Sequence, residues 1–320
     1  MPFVLERFEI QEPIVAYRFL MNTLNLNMAQ SQRYINKGRV IYCGEVLGNN
    51  DKNKILDSCV DVLVFKPNRL GIKVIFENDD FIVFDKPEKL LIHPKGRFRH
   101  DSLVDEIRSR CGNIASLIHR IDKETSGLVL VGKHKDSIRE LGDMFAKNLV
   151  VKEYIAVAKG YIKGGNFCIN LPLSMQEKGK DLNIRSVYLG QNLNGKILSL
   201  KSKNLNFKSA KSEFEILGYL QDNTLLKVRL HTGRTHQIRV HLHSINHSIL
   251  GDPLYGCDDE ISRKYLDSEF IEDLNNIALS DDDRVIYFGA KRLMLHSYSL
   301  RFTYKDREFY FRCPFEIESN

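Results

Sequence analysis

The sequence lacks segments that would place the chain in or across a membrane. It contains no run of eighteen apolar residues, which a transmembrane helix would need. Glu6 and Arg7 stand where a secretory signal would have its apolar core, so export is not expected. The sequence therefore predicts a cytoplasmic protein with no membrane partner.

Motifs for disulfides, metals and nucleotide cofactors are also missing. The six cysteines include no CxxC pair, and we interpret them as reduced, buried thiols. Neither GxGxxG nor GxxxxGK followed by Ser or Thr is present, so the phosphate-cradling loops of nucleotide-binding folds are absent. Five of the ten histidines lie within residues 231–247, but their HxH and HxxxH spacings lack a nearby carboxylate pair. The sequence predicts no metal and no nucleotide cofactor.

The chain has the composition of an ordinary globular protein, but its charged residues are unevenly distributed along the sequence. Its 320 residues, 43% hydrophobic and 28% charged, are enough for two domains, and the net charge is +6. Residues 14–44 contain no acidic residue, and residues 145–211 contain twelve Lys or Arg against three acidic residues. Residues 257–283 reverse the sign, with ten acidic residues against two basic ones. These blocks are typical of a protein that binds a polyanion, although ordinary clustering of surface charge explains them equally well.

Residues 1–70 are predicted to form a small separate domain. Apolar residues recur at helical spacing in residues 14–24, and a second short helix is predicted to end at Gly38. Two short strands flank a turn at Gly44, and residues 61–65 form a further strand before the boundary. A generic small α/β cap fits this pattern.

The second helix and the turn carry the motif IxxGRVxxxG, from Ile35 to Gly44. This motif resembles the S4 RNA-binding domain, with Cys43 in place of that family's usual asparagine. The resemblance implies that the small domain binds RNA. The resemblance implies that the basic residues Arg33, Lys37 and Arg39 contact the RNA.

Residues 71–320 are predicted to form a second, strand-rich domain. Short apolar strand-like runs recur along it, including residues 285–289, and the histidine-rich residues 231–247 are also interpreted as strand-like. The clearest helical patterns cover about 102–111 and 134–147. Because few helices separate the strands, we expect an α+β domain with a mixed, largely antiparallel sheet rather than a βαβ repeat.

Three polar stretches interrupt strand-like apolar runs, where folding alone would not place them. Residues 119–127 hold Asp122 between two apolar strands, where a carboxylate must be paired or have a raised pKa. Tyr154 opens another strand, and its ring can stack on a base while its phenol can transfer a proton. Residues 233–241 supply two guanidiniums, one of which can keep a catalytic carboxylate ionised.

Each stretch also has a simpler interpretation. Tyr154, judged by periodicity alone, is an ordinary core aromatic residue. Arg234 either pairs within the protein or contacts phosphate. Ser126, His119 and Asp122 are the residue types of a hydrolase triad, but the GxSxG nucleophile elbow is missing, so acyl transfer is not expected.

Five motifs in sequence order resemble the RluA-type pseudouridine synthases. They are FDKPEKLLIHP, HRIDKETSGLVLVG, KEYIAVAKG, TGRTHQIRVHLHSINHSILGDPLYG and LMLHSYSLRF, and they span about residues 80–303. The resemblance implies that residues 71–320 are the catalytic domain of such an enzyme. An S4-like domain at the N-terminus is the arrangement common in the large-subunit ribosomal branch of that family.

The resemblance implies a role for individual residues. Asp122 matches the catalytic aspartate, Tyr154 the tyrosine that stacks on the target base and removes its C5 proton, and Arg239 the arginine that pairs with the aspartate. Arg120 matches the residue that fills the space left by a flipped nucleotide. The other residues of these motifs implied to contact RNA are His119, Arg234 and His236. Whether Asp122 attacks the sugar or acts as a base stays open.

The function implied is the isomerisation of specific uridines in RNA by a monomer that needs no cofactor. Large-subunit ribosomal RNA is the favoured partner, and transfer RNA is the alternative. A non-catalytic RNA-binding factor of ribosome assembly on the same fold is the competing hypothesis, which the intact set of candidate catalytic residues argues against. Residues 257–290 are interpreted as an insertion of unknown role.

Overall fold

Two compact units make up the chain, one formed by residues 1–69 with 95–101 and the other by residues 70–94 with 102–320. The computed structural model describes residues 3–66, 68–93, 101–176, 185–193, 196–199, 205–271 and 279–316. Parts of the predicted basic and acidic regions therefore lie outside the described residues. Within those that are described, no helix is both long and apolar enough to cross a membrane.

The first unit contains a helix pair and a small antiparallel sheet. Its elements are β1 (Phe3–Phe8), β2 (Ile14–Val15), α1 (Ala16–Leu24), α2 (Met28–Asn36), β3 (Val40–Tyr42), β4 (Glu45–Val46), β5 (Ile55–Leu56) and β6 (Val60–Phe65). The sheet has the order β1-β6-β3-β4, and β2 pairs separately with β5. The predicted helix pair, turn and strands are confirmed, whereas the S4-type identity of the unit stays a prediction.

Local sequence signals set the ends of α2. The Asn27 side chain accepts a hydrogen bond from the Gln30 N–H, and the Gln30 side chain accepts one from the Asn27 N–H, both at 2.9 Å. These two bonds form a capping box at the start of the helix. Beyond its end, Gly38 has a φ of 64°, which glycine adopts without steric cost. Leu20 of α1 and Ile35 of α2 are fully buried in the core of this unit.

The second unit contains a large sheet with flanking helices. Its strands are β7 (Val74–Glu77), β8 (Phe81–Lys86), β9 (Ser116–Leu117), β10 (Ser126–Gly132), β11 (Val151–Lys159), β12 (Phe167–Asn170), β13 (Leu173–Met175), β14 (Ser186–Tyr188), β15 (Asn192–Leu193), β16 (Lys196–Ile197), β17 (Lys211–Leu220), β18 (Asn223–Leu230), β19 (Leu295–Tyr304) and β20 (Arg307–Arg312). Its helices are α3 (Leu103–Cys111), α4 (Lys135–Ala146), α5 (Gln237–Ser244), α6 (Asp259–Ile271) and α7 (Asp281–Phe288).

The main sheet is mixed and largely antiparallel, which confirms the predicted α+β fold class. Its strands follow the order β12-β17-β18-β11-β19-β10-β8-β7, with β20 beside β19 and β9 beside β10. Among the described pairings of this sheet, β10 with β19 is parallel and the others are antiparallel. Antiparallel neighbours need only short connections, so the sheet forms without a helix after every strand.

The central strands of this sheet are buried on both faces. In β8, Ile82 and Phe84 belong to one apolar cluster, whereas the alternating residues Phe81 and Val83 belong to a second cluster. Successive side chains of a strand point to opposite faces, so the two clusters lie on the two sides of the sheet. This double burial explains why these strands are continuous apolar runs in the sequence.

Two stretches predicted as strands are helices. Residues 231–247 contain α5, and residues 285–289 form the end of α7 with its following glycine. At α7, Ser280 and Asp283 form a capping box, and Gly289 ends the helix with a φ of 89°. These end signals outweigh the β-branched and aromatic residues between them. In α5 the first six residues are all buried, so its sequence shows no amphipathic helical period.

The cysteines agree only in part with the prediction of buried thiols. All six are free, but Cys43, Cys59 and Cys168 are exposed. Cys43 lies in the turn between β3 and β4, and Cys168 lies on β12 at the edge of the main sheet. Turns and edge strands face solvent, and this places both thiols at the surface.

Candidate active site

Asp122 lies in the loop before β10, where β10, β19 and β11 run side by side. Ser126 at the start of β10 and Ile155 of β11 both pair with His296 of β19. This register brings the loop of Asp122 and the neighbouring Tyr154 to the same level of the sheet. The Asp122 side chain remains 22% exposed, so solvent or a ligand can reach it.

A buried arginine on α5 faces Asp122. Arg239 Nε and Nη2 donate to the two carboxylate oxygens of Asp252, at 2.7 Å each, in a bidentate charge-assisted pair. The remaining nitrogen, Nη1, lies 3.4 Å from Asp122 Oδ2. Arg239 is therefore fixed by Asp252 and makes only a long contact with Asp122, the residue with which it was predicted to pair.

Asp252 is the residue of this site that sequence reasoning missed. It lies in the GDPLYG stretch, and its Oδ1 also accepts hydrogen bonds from the N–H groups of Leu254 and Tyr255 at 2.9 and 3.1 Å. Such bonds are typical of an ordinary turn aspartate, so the sequence pattern conceals its second role. The signal that could have found it is physical, because a fully buried Arg239 needs a fully buried partner.

Neighbouring charges keep Asp122 ionised. Burial raises the pKa of Asp122, but His236 and Arg239 outweigh this effect and lower the pKa below its usual value. Burial lowers the pKa of His236 itself to about 4, so this imidazole is neutral near pH 7. With His236 neutral, Arg239 and the neighbouring Arg120 are the cations that favour the ionised form of Asp122 at neutral pH.

Tyr154 lies next to an irregularity in the pairing of β11 with β19. The register between β11 and β19 shifts after Glu153, so that Glu153 pairs with Ser299 and Tyr154 with Ser297. The extra residue, Tyr298, belongs to β19, so β19 is the bulged strand. Tyr154 was predicted to open its strand, but it is the fourth residue of β11. Burial raises the pKa of Tyr154 to about 12, although a hydrogen bond with Ser297 lowers it. The side chain is therefore a neutral phenol at physiological pH.

These side chains line one small cavity of about 80 Å³. Apolar walls come from Leu230, Ile238 and Leu295. One cation of the cavity, Arg120, is exposed, whereas another, Arg239, is buried. The predicted site residues that the structure brings together around this cavity are Arg120, Asp122, Tyr154, Arg234, His236 and Arg239. The cavity therefore combines an aromatic ring, a carboxylate and cationic groups in one lining.

The turn before α5 is built around the Gln237 side chain. Its Oε1 accepts hydrogen bonds from Thr232 Oγ1 at 2.7 Å and the Arg234 N–H at 3.0 Å, and its Nε2 donates to the Lys211 carbonyl. Arg234 Nε donates to the Ser209 carbonyl at 3.0 Å. Arg234 thus pairs within the protein and also lines the cavity.

The histidines of residues 231–247 have protein partners. His241 Nδ1 lies 3.0 Å from Ser212 Oγ, and its Nε2 lies 3.1 Å from the Leu171 carbonyl. His236 Nδ1 lies 2.9 Å from the hydroxyl of Tyr255. Within the described part of the chain, no three His, Cys, Asp or Glu side chains are grouped so that they could hold a metal ion.

His119, predicted to contact RNA, has partners within the fold. Its Nε2 accepts a hydrogen bond from the Leu130 N–H at 3.0 Å, and its ring stacks on Phe145 at 4.7 Å. Burial lowers the pKa of His119 to about 3, so the ring is neutral. Both its position and its bonding therefore serve the packing of β10 against α4.

The basic residues predicted to bind RNA on the first unit fall into two groups. Arg33 and Lys37 are exposed, four residues apart at the end of α2. Arg39 instead packs over the rings of Phe3 and Tyr34, at 4.3 and 4.7 Å from their centres. Arg33 and Lys37 are the residues of this set that face solvent, whereas Arg39 belongs to the packing of the unit.

Residues 80–244 match the protein family described as RNA pseudouridylate synthase. An uncharacterized RNA pseudouridine synthase of Helicobacter pylori is 38% identical over 305 residues, which cover 95% of this chain and 92% of the relative. A human protein of known structure, RNA pseudouridylate synthase domain containing 1, is similar in fold. Its TM-score is 0.54 and its identity 20%, with 76% of this chain and 83% of that chain covered.

Two further relatives have names that state an RNA substrate. The ribosomal large subunit pseudouridine synthase D of Buchnera aphidicola is 30% identical over 198 residues, which cover 60% of this chain and 57% of the relative. The mitochondrial tRNA pseudouridine(32) synthase of Saccharomyces cerevisiae is 32% identical over 188 residues, which cover 59% of this chain and 38% of the relative.

Proposed function

The chain belongs to the RNA pseudouridylate synthase family, and from that premise we propose that it isomerises uridines of large-subunit ribosomal RNA in the cavity lined by Asp122 and Tyr154. The activity itself, formation of pseudouridine in RNA, is that of the family. The observation that carries the assignment of the site is the placement of Asp122, Arg239 and Tyr154 around one cavity, with Arg239 Nη1 3.4 Å from Asp122 Oδ2. The roles of these residues and the choice of RNA are the proposal.

The reaction exchanges one bond for another within a single nucleotide. The N1–C1′ bond of uridine breaks, the uracil turns, and a C5–C1′ bond forms. C5 loses a proton and N1 gains one, so no electrons are transferred and no group donor is consumed. The residues of the cavity must therefore supply an anion for the sugar, a surface for the base, and a path for one proton.

Asp122 supplies the anion. It is ionised because Arg239 offsets the cost of burial, and it remains exposed enough to meet a ribose. Two routes use the same carboxylate: attack on C1′, or removal of a sugar proton to begin glycal formation. In either route the positive charge of Arg239 stabilises the ionised form between turnovers.

Tyr154 supplies the stacking surface. The raised pKa of Tyr154 makes its phenolate scarce at neutral pH, so the phenol alone is a poor proton acceptor. The ring can still stack on the uracil. Proton removal from C5 by Tyr154 therefore needs an anion nearby to accept the phenol proton in turn. Asp122 lines the same cavity and is such an anion.

The uridine must leave the stacked bases of the RNA before it can enter the cavity. Extrusion of a base costs a few kcal/mol, which the protein must offset with contacts to the opened RNA. Arg120 is exposed at the cavity and carries a planar cationic group. It is therefore placed to occupy the gap in the stack and to contact phosphate.

Two features support ribosomal rather than transfer RNA as the target. The motif of residues 35–44 resembles an RNA-binding domain common in the ribosomal branch of the family, and one relative is named for the large ribosomal subunit. Transfer RNA is the second candidate, because another relative is named for position 32 of transfer RNA.

Release of tritium from RNA that contains uridine labelled at C5 tests both the reaction and the target. We expect the wild type to release tritium from a large-subunit ribosomal RNA transcript and not from transfer RNA. Asp122→Asn is expected to bind the same transcript with unchanged affinity and to release no tritium, since the neutral amide can neither attack nor accept a proton. Release from transfer RNA alone would make that RNA the substrate. Absence of release from both RNAs by the wild type would favour the non-catalytic binding factor.

A further inference from the structure

The acidic segment, residues 257–290, reaches the reaction centre through two buried side chains. We propose that Arg284 and Tyr265 of this segment are positioning residues, which fix the loop carrying Asp122 by holding Glu124. The inference rests on the proposed function, because it takes Asp122 as the reacting carboxylate. It gives the predicted insertion a role in the chemistry.

Glu124 is a buried carboxylate whose two oxygens are bonded from two different helices. Arg284 Nη2 of α7 donates to Glu124 Oε2 at 2.5 Å, and the Tyr265 hydroxyl of α6 donates to Glu124 Oε1 at 2.9 Å. All three side chains are at most 5% exposed. Arg284 is itself oriented by a bond from its Nε to the Lys291 carbonyl at 2.7 Å. Both α6 and α7 are thereby tied to the loop two residues after Asp122.

Asp122 needs such support because its own contacts are long. Its carboxylate lies 3.4 Å from Arg239 and 3.8 Å from the His236 ring. Contacts of this length supply charge but fix a side chain only weakly. The position of the carboxylate therefore depends on the backbone of its loop.

The same loop is anchored at its other residues by further elements. Lys86 at the end of β8 donates to the Lys123 carbonyl at 2.9 Å. Ser126 Oγ lies 2.8 Å from His296 Nδ1 and accepts a bond from Arg292 at 2.9 Å. Glu124 lies between these two anchors, so without Arg284 the central residue of the loop would lose its charged partner.

Apolar packing joins the acidic segment to the helix that carries Arg239. Tyr265 of α6 and Phe288 of α7 belong to one buried cluster with Val240, the residue after Arg239. The guanidinium of Arg284 lies 5.7 Å from the centre of the Tyr265 ring. A displacement of α6 or α7 would therefore act on the loop of Asp122 and on α5 together.

Loss of Arg284 would leave the buried Glu124 carboxylate with its hydrogen bond from Tyr265 but without its ion-pair partner. Such a carboxylate must take up a proton or move toward water, and removal of one partner from a buried pair is strongly unfavourable. Either response changes the loop two residues from Asp122. Displacement of a reacting group by about 1 Å costs about 10²-fold in rate.

Single-turnover tritium release at saturating enzyme tests the proposal in the full chain. We expect Arg284→Met to slow release about 10²-fold while the affinity for the RNA transcript is unchanged. Arg284→Lys, which keeps a cationic donor, should recover part of the rate. The double variant Glu124→Gln/Arg284→Met should also be faster than Arg284→Met, because it buries no unpaired charge. Asp281→Asn, which breaks an exposed α7 ion pair with Lys89, is the matched control. It should leave the tritium-release rate and the affinity for the RNA transcript unchanged.

Hydrogen exchange gives a second readout that needs no RNA. Peptides covering residues 119–126 should exchange faster in Arg284→Met than in wild type, while those of the first unit should not change. Tyr265→Phe removes one hydrogen bond and should show the same pattern more weakly, so it carries the test if Arg284→Met does not fold. The proposal would be overturned if hydrogen exchange of residues 119–126 were unchanged in Arg284→Met. It would also be overturned if the tritium-release rate fell only as much as the folded fraction or the RNA affinity. If the wild type releases no tritium, the proposed function fails and the exchange result still decides the positioning role.

Discussion

Arg239 binds Asp252 more tightly than it binds Asp122, and this difference leaves the Asp122 carboxylate available to a substrate. Two bonds of 2.7 Å tie the guanidinium to Asp252, whereas the third nitrogen lies 3.4 Å from Asp122. A short bidentate pair with Asp122 would occupy both of its oxygens and stabilise the resting state. The longer contact keeps the carboxylate ionised while its oxygens remain accessible.

His119 provides a prediction about stability and pH at the scale of one side chain. Its Nε2 accepts the Leu130 N–H, and burial lowers its pKa to about 3. The unfolded chain takes up this proton near pH 6.5, so the stabilisation is complete above that pH and is lost as the pH falls toward about 3. His119→Gln keeps an acceptor and does not titrate. We therefore expect wild type to lose about 1.4 kcal/mol more of its free energy of unfolding per pH unit than the variant over this window.

Urea unfolding of both proteins at pH 8, 6 and 5 measures this difference. At pH 8 His119 is neutral in both folded and unfolded states, so a difference there reports the lost stacking on Phe145 and only the further difference at lower pH reports the titration. Equal slopes of stability against pH in wild type and His119→Gln would contradict the assigned role.

The sequence could predict residues whose chemistry is local to a motif, but not those paired across the fold. Asp122, Tyr154 and Arg239 stand in stretches where polar groups interrupt apolar runs, and the structure places all three at one cavity. Asp252 and Glu124 stand in equally polar stretches, yet their partners come from other elements. Their roles follow from burial, which the sequence does not give directly.

At the scale of elements, the close approach of β10 and β19 fixes the end of the Asp122 loop. Gly127 pairs with Ser297 in the parallel ladder and has a φ of 102°. A Cβ at this position would lie 2.3 Å from the Ser297 carbonyl oxygen. Glycine is required here because any side chain would push the two strands apart.

Gly127→Ala is therefore expected to destabilise the protein and to slow tritium release. The clash and the strained backbone together should cost about 1–3 kcal/mol of unfolding free energy. Gly142→Ala, inside α4 with open space around its Cβ position, is the matched control and should stabilise by about 0.5–1 kcal/mol. Urea unfolding and the tritium assay measure both variants. A Gly127→Ala protein as stable and as active as wild type would show that the strands tolerate the added methyl group.

Strands with strong apolar runs were predictable, whereas helices with unusual burial were not. The patterns of β8, β10 and β11 predict strands because central strands bury both faces. Residues 285–289 are equally apolar, but a capping box and a terminal glycine make them part of α7. Burial of nearly the whole of α5 hides its helical period. Local end signals therefore determine α7, whereas tertiary burial hides the helical pattern of α5.

At the scale of the whole molecule, part of the acidic block of residues 257–283 has a structural explanation. The first turns of α6 and α7 contain five of its acidic residues, which face the positive ends of the helix dipoles. The sequence left the role of this stretch open, and these helix starts give part of it a structural role. In the basic block of residues 14–44, Arg33 lies in the last turn of α2 and Lys37 caps it, where cations face the negative end of the helix dipole. Both side chains are nevertheless exposed.

Removal of Arg33 and Lys37 tests whether the first unit contacts RNA. Binding that neutralises phosphates releases counterions, so each lost contact should make the slope of log affinity against log salt shallower by about 1. We expect Arg33→Gln/Lys37→Gln in the full chain to bind a ribosomal RNA transcript more weakly and with a shallower slope, while its tritium release at saturating RNA is retained. Lys135→Gln, which removes an exposed charge at the start of α4, is the control and should keep the wild-type slope. A wild-type slope in the double variant would mean that this face of α2 does not touch RNA, because neither side chain would then have displaced a counterion.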